Sequence, residues 1–373
     1  MKLNAGGLSS VVIGREKELI QLDAYVSLGQ HIAVIAPRRY GKTTLVNAFL
    51  DKQEDRYLTC KIDVFAASTI REFCEIYIDA IYKLDGVKNF VKHAKDNVME
   101  IMGRFSLEYG DVKVGYDLLK EEDENELARK TFYLAQSISV SKGKKLIAFF
   151  DEFGDLSKFG QGFIKKLRSY FQAHSNVVYI FAGSQQSVMD DIFLNSDNAF
   201  FNFATLMRIG RLPNESIETF ASELILGENI RFDDEAVKSL MQGVGGHPFY
   251  TIKVLQEGYI CFLMENSGKY TVCANNIHQA IKKILFDNAV YFETLWQKLN
   301  SKKHKGSIVK ELAIDGFKSG DKVSLSYKSQ MIKELKDDGV IDENKKFVDP
   351  MFLKWLQSSN DALDNNISSL SPN

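Results

Sequence analysis

Short, almost wholly apolar runs punctuate the first half of the chain, separated by longer stretches in which apolar residues recur every three or four positions. The runs are His31-Ile32-Ala33-Val34-Ile35, Leu146-Ile147-Ala148-Phe149-Phe150 and Val177-Val178-Tyr179-Ile180-Phe181-Ala182. Runs of this length without polar alternation predict strands covered on both faces. Residues 57–64 predict one more strand. The intervening stretches predict helices: one ending near Gly29, a second over 44–50, a third over 68–84 with Ser68 as N-cap, and a fourth over 121–140. Strands alternating with helices predict an α/β fold with a parallel sheet.

From about residue 213 the strand pattern ceases. Residues 213–226, 233–242, 248–263 and 274–299 predict helices. Residues 300–358 predict three helices and a short hairpin. There Ser326 is a plausible N-cap, Ile332 and Leu335 face a core, Gly339 ends a helix, and Val340-Ile341 pairs with Lys346-Phe347-Val348. That order is the grammar of a winged helix-turn-helix. Residues 86–118 read as an insertion, with an amphipathic helix over 89–104 and a Gly-containing hairpin over 106–116. Residues 359–373 are rich in Ser, Asn and Asp and predict a frayed tail. The expected division is a core over 1–212, an all-α lid over 213–299, a winged helix over 300–358 and the tail.

The first strand leads directly into Ala36-Pro37-Arg38-Arg39-Tyr40-Gly41-Lys42-Thr43-Thr44. Strand, turn, then Gly-Lys-Thr opening a helix is the context of a phosphate-binding loop. Its backbone N–H groups and the helix N-terminus favour anionic oxygens. In that role Lys42 reaches the β- and γ-phosphates of ATP, and the Thr43 hydroxyl ligates Mg²⁺. Ala36 stands where the pattern asks for Gly. The residue before a proline prefers extended backbone, so the substitution is harmless if Ala36 lies there and costly if it needs a positive φ.

Phe149-Phe150 is followed by Asp151-Glu152, two acids at the end of a buried strand, where open α/β sheets bind ligands. Asp151 is the candidate Mg²⁺ ligand and Glu152 the candidate base for the attacking water. Ser184 ends the next strand, placed either to touch the γ-phosphate or merely to cap the strand. Arg208 and Arg211 flank Ile209-Gly210. Each could supply charge to a neighbour's site, or simply make a surface ion pair. Arg38 and Arg39 lie in the loop itself, and phosphate, solvent or a nearby acid could receive them. Gly245-Gly246-His247-Pro248 suits a structural link between helices as well as a nucleotide contact by His247. In the C-terminal segment, Tyr327, Lys328, Gln330 and Lys333 are the residues a recognition helix would offer to duplex DNA. Winged helices also dock proteins.

The chain has 373 residues, 45% hydrophobic and 26% charged, with a net charge of −2. No global field draws it to nucleic acid, and residues 301–350 hold 11 Lys against 9 acids. Cys60, Cys74, Cys261 and Cys273 lack metal-ligand spacing, which suits free thiols in a reducing compartment. No apolar run reaches the length of a membrane span. The expectation is a cytoplasmic protein without membrane contact.

Taken in order, Ile13-Gly14-Arg15-Glu16, the phosphate loop, Asp151-Glu152, Gly246-His247-Pro248 and the closing Val348-Asp349-Pro350-Met351-Phe352-Leu353-Lys354-Trp355-Leu356 resemble the prokaryotic, archaeal-type P-loop ATPases of the AAA+/STAND group. The resemblance implies an ATP-binding core, a helical lid and a winged helix, with ATP governing a conformational switch. It implies that Val12 and Ile13 lie near the adenine and that Gly246 and Pro248 approach the nucleotide. It also implies that an Ala-Pro-Arg-Arg opening is tolerated. Lys328 departs from the pattern, since similar winged helices place an apolar residue there. The partners expected are ATP and ADP, with duplex DNA and a second copy or another protein as candidates. The alternative function is a regulator that holds nucleotide without turning it over.

Overall fold

The computed structural model describes residues 12–84, 123–227, 229–265, 270–314 and 323–358. The expected insertion over 86–118 and tail over 359–373 lie outside the described residues. By their contacts the residues form two compact units. The core unit comprises Arg15–Arg38 and Lys42–Ile209; the C-terminal unit comprises Met1–Gly14, Arg39–Gly41 and Gly210–Asn373. No helix among the described residues is long and apolar enough to cross a membrane.

The core unit is built on five parallel strands: β1 (Ile32–Ile35), β2 (Leu58–Asp63), β3 (Leu146–Asp151), β4 (Val177–Gly183) and β5 (Thr205–Arg208). Their order across the sheet is β2-β3-β4-β1-β5. Every residue of β1 and β4 is buried, because helices cover both faces, as the apolar runs require. Helices α1 (Glu16–Ser27), α2 (Lys42–Asp51), α3 (Ile70–Tyr82) and α4 (Glu124–Lys142) fall where the periodicity places them. The N-cap of α3 is Thr69, whose side chain accepts the Glu72 N–H, rather than Ser68. Ser68 instead gives its own N–H to the Glu72 carboxylate. Three segments lie outside the expectations from pattern: a 3-10 turn (Phe153–Phe159), then α5 (Gly160–Gln172) and α6 (Gln186–Leu194). So does β5, a four-residue edge strand too short to show a period.

One face of the sheet is filled by aromatic rings. Phe171 stacks on Tyr179 at 4.0 Å, and Phe153 lies 4.4 Å from Phe181. Phe150, Phe153, Phe171, Tyr179, Phe181 and Phe200 are all fully buried. Each such side chain contributes roughly 1.5–3 kcal/mol of burial, which fixes the carboxyl ends of β3 and β4 firmly.

The C-terminal unit is mainly helical: α7 (Asn214–Glu223), α8 (Asp234–Val244), α9 (Pro248–Glu265), α10 (Ala274–Asp287), α11 (Ala289–Asn300), α12 (Lys305–Ala313), α13 (Leu325–Asp337) and α14 over 350–358. Two expectations change here. The single helix over 274–299 is two, interrupted at Asn288, whose φ of −103° and ψ of 9° leave the helical region. Strand structure also persists past 213, as a small parallel pair of β6 (Arg231–Phe232) with β7 (Thr271–Val272).

The cap of α13 is Ser324, which accepts the Tyr327 N–H, two residues before the expected Ser326. Leu335 is fully buried and Ile332 packs against the same core. Gly339 takes φ +68° after the helix, and Ile341 pairs with Phe347 in an antiparallel bridge. Asp349 caps α14 by accepting the N–H groups of Met351 and Phe352, and Phe352 stacks on Trp355. The Asp-Pro-x-Phe-x-x-Trp run is thus a helix start followed by two core-facing rings.

Candidate active site

Strand order places the chemistry. β4 lies between β1 and β3, so Ser184 at its end falls between the loop after β1 and the acids after β3. The register sets Ile35 opposite Gly183 and Phe150 opposite Phe181. Ala36, Ser184 and Glu152 therefore emerge along one edge of the sheet.

Ala36 is fully buried and is not among the residues with positive φ. The costly case for Ala is excluded. The loop's left-handed positions are Arg39 (φ 65°) and Gly41 (φ 84°), and the glycine there is free of strain. Lys42 is buried, and its ammonium donates to the carbonyls of Ala36 at 3.0 Å and Pro37 at 3.1 Å. Burial pulls its pKa below the ordinary value, against the opposing pull of Glu152 and Asp151. The Thr43 hydroxyl donates to Asp151 Oδ2 at 2.7 Å. Burial pushes the Asp151 carboxyl up, and the Thr43 hydrogen bond works against that shift. Thr44 is half-buried in the first turn of α2.

Glu152 adopts a left-handed backbone, φ 50° and ψ 44°. Non-glycine residues take this conformation at a cost of order 1–3 kcal/mol and often at functional sites. It turns the carboxylate toward β4, where Oε2 accepts the Ser184 N–H at 3.0 Å and the Ser184 hydroxyl at 2.9 Å. Arg38 Nε in turn donates to Ser184 Oγ at 3.3 Å. Loop, strand end and acid are thereby joined by a chain of hydrogen bonds. The strand pattern marks Ser184, but nothing in it announces the backbone turn at Glu152.

An oxygen-seeking divalent cation fits the paired Thr43 hydroxyl and Asp151 carboxylate, since Mg²⁺ takes one or two protein ligands and completes its shell with phosphate and water. The described residues contain no cluster of three or more His, Cys, Asp or Glu that could hold a metal by themselves.

Within the core unit, Arg208 pairs with Asp190 at 2.6 Å, half-exposed. Within the C-terminal unit, Arg211 donates to the Gly245 carbonyl at 2.7 Å and the Phe347 carbonyl at 2.6 Å. Ile13 is buried in that unit's core, and Val12 is half-buried beside it. Gly246 accepts the Leu212 N–H at 2.8 Å, and Pro248 opens α9. His247 is buried against Tyr250 and Tyr40, and burial drags its pKa down to about 3. Its surroundings are those of a neutral core histidine.

The loop residues Arg39 and Tyr40 take part in the same unit. The Arg39 guanidinium lies 4.6 Å from the Phe249 ring centre, and the Tyr40 hydroxyl donates to the Val348 carbonyl at 3.2 Å. That contact joins residues 308 positions apart, and no sequence signal could have shown it. On α13, Lys328 pairs with Glu311 at 2.6 Å. Tyr327 donates to the Lys303 carbonyl and Gln330 to Glu334. Lys333 is exposed on the same helix.

These strands, this loop and these acids define the class of fold, an α/β P-loop ATPase fold of the AAA+ type, with a parallel sheet and a helical C-terminal part. No protein-family model matches the chain, and no curated protein matches it significantly. Solved structures do. The Walker-type ATPase PABY2304 of Pyrococcus abyssi is 16% identical with a TM-score of 0.64, over 93% of this chain and 96% of that one. The Aeropyrum pernix ORC2 protein, in its ADPNP-ADP complexes, is 10% identical with a TM-score of 0.57, over 96% and 98%. The Aeropyrum pernix ORC1 protein in complex with DNA is 13% identical with a TM-score of 0.52, over 97% of each. At these identities the likeness concerns the fold.

Proposed function

We propose that this chain is a Mg²⁺-dependent ATPase in which hydrolysis works as a conformational switch. The observation that carries the reading is the convergence of Lys42, Thr43, Asp151, Glu152 and Ser184 on one edge of the sheet. The backbone of residues 36–44 holds the phosphates. Lys42, whose ammonium already rests on two loop carbonyls, exchanges these for the β- and γ-phosphate oxygens. Thr43 and Asp151 would hold Mg²⁺, which would supply charge neutralisation at the transferring phosphoryl group. Glu152 accepts a proton from the attacking water once its carboxylate leaves Ser184, and Ser184 then has a hydroxyl free for phosphate. Arg208, half-exposed in its pair with Asp190, and Arg211 are the candidates to supply charge to a second copy's site.

A second reading, a nucleotide-holding regulator with negligible turnover, is favoured by one observation. The Glu152 carboxylate is engaged by two donors of Ser184 and so rests in a held state. Duplex DNA is the candidate partner of the C-terminal segment, read here as a winged helix. The supporting points are the order of α12, α13 and the Ile341–Phe347 bridge among the described residues, and the resemblance in fold to a protein solved with DNA. The test of the core claim is ATP affinity for wild type and Lys42→Ala. Loss of binding in the variant supports the reading, and equal affinity overturns it.

A further inference from the structure

Four cations, with no carboxylate beside them among the described residues, line one cavity of the C-terminal unit. The cavity holds about 300 Å³ between the end of α8, the hairpin strand and α14. Its charged and polar lining is Arg211, Lys345, Lys346, Lys354, Gln242 and Gln357, and no acid among the described residues is part of it. Several other lysines of this unit are answered by acids: Lys336 by Glu343, Lys328 by Glu311, Lys305 by Asp338. Among the described residues, Lys345, Lys346 and Lys354 enter no ion pair.

The nearest acids along the chain are already engaged, Glu343 by Lys336. Asp342 accepts the backbone N–H groups of Asn344 and Lys346. Asp349 caps α14 and accepts the Tyr250 hydroxyl. Arg211 is held in place by two carbonyls, which orient the guanidinium but do not neutralise it, and its buried Nε has no hydrogen-bond partner. Four like charges around one small space repel one another, and in a chain of net charge −2 their concentration is local.

We propose that this cavity is a phosphate-binding site for a nucleotidic ligand, separate from the phosphate loop. The lining suits that chemistry. The lysines and Arg211 meet the phosphate, the Gln242 and Gln357 amides offer donors and acceptors, and Leu312, Phe347 and Leu353 provide an apolar wall. The volume accepts a mononucleotide-sized group and sits at the small end of ligand pockets. The phosphate can come from a nucleic-acid backbone or from a free nucleotide. The site stands whether or not the core hydrolyses ATP. It abuts the hairpin strand that also holds Arg211 through Phe347, and Tyr40 through Val348. A ligand here therefore bears on the residues that fix the loop tip.

The experiment uses the full chain carrying Lys42→Ala, so that the phosphate loop does not take up the probes. Binding of a 20-base-pair duplex and of AMP is measured with and without the added triple change Lys345→Gln, Lys346→Gln and Lys354→Gln. The expected result is at least a tenfold loss for whichever probe binds. If the duplex is the ligand, the slope of log affinity against log salt also becomes shallower, by about 0.9 for each phosphate that the variant no longer neutralises. A loss confined to the duplex identifies a nucleic-acid backbone, and a loss confined to AMP identifies a free nucleotide. Binding unchanged by the triple change overturns the proposal, as does failure of both probes to bind the Lys42→Ala chain. Thermal unfolding checks the triple variant; the single change Lys346→Gln, on an exposed side chain, gives the same reading with a smaller loss if the triple variant is unstable.

Discussion

Replacing Glu152 by Gln separates binding from chemistry in this site. The side chain keeps its length and an oxygen that can still accept the Ser184 N–H and hydroxyl, which lie 3.0 and 2.9 Å from Oε2. The left-handed backbone at residue 152 does not depend on the side-chain charge. Lys42, Thr43 and Asp151 are untouched. What disappears is the ability to take a proton from water. A positioned general base contributes about 10²–10⁴ in rate, equivalent to about 3–5.5 kcal/mol in the barrier. The expected outcome is a fall of that size in kcat, with ATP affinity within about threefold of wild type. The assay is phosphate release under saturating ATP and Mg²⁺, beside equilibrium titration of a fluorescent ATP analogue. Equal turnover by the variant would refute the assignment of Glu152. A matching loss of affinity would show instead that Glu152 holds the loop together.

Other consequences concern stability. Gly246→Ala places a Cβ at φ +79°, 2.9 Å from the Leu212 carbonyl and 3.0 Å from Arg211 Cβ. Gly339→Ala meets only a positive φ of +68° in open space. Urea unfolding should show a loss of about 1 kcal/mol for Gly339→Ala and at least twice that for Gly246→Ala; equal losses would contradict the packing described. Burial holds His174 and His247 neutral, with pKa values pulled down to about 4 and about 3. The unfolded chain takes up their protons near pH 6.5 and the folded chain does not, so stability falls as pH drops below 6.5. The slope is about 1.4 kcal/mol per pH unit for each histidine. His174→Gln should remove one such contribution between pH 6.5 and 4.5, and an unchanged slope would count against its burial. Asp151, whose carboxyl burial pushes up, disfavours the ionised nucleotide-free site. Asp151→Asn should therefore raise the urea midpoint without nucleotide while weakening Mg²⁺-dependent ATP binding, and a lowered midpoint would contradict that electrostatic account.

Much of the core was legible in the sequence because its signals are local. The runs at 32–35, 146–150 and 177–182 are apolar throughout, and only strands covered on both faces tolerate that. The loop from Ala36 to Thr44 announces itself by residue type and by the strand before it. What stayed hidden depends on neighbours distant in the chain. β5 has four residues and gains its place by pairing with β1, at register Ile35 to Arg208. The break at Asn288 leaves the apolar spacing on either side intact, so periodicity runs through it. Ser324 and Thr69 beat nearby serines as caps by one or two positions, within the usual blur of helix ends. Arg211 looks like a free arginine in the sequence, yet two carbonyls at residues 245 and 347 hold it. Lys328 shows no partner in the sequence, yet Glu311, 17 positions away, engages it.

The central claim is that loop and acids form one metal-dependent hydrolytic site. Its most direct test is phosphate release from ATP by the wild-type chain, measured with Mg²⁺ and again after chelation by EDTA. The account predicts steady turnover with Mg²⁺ that disappears with EDTA and returns when Mg²⁺ is restored. Tight ATP binding without phosphate release in either condition would contradict it and leave the chain a nucleotide-holding regulator.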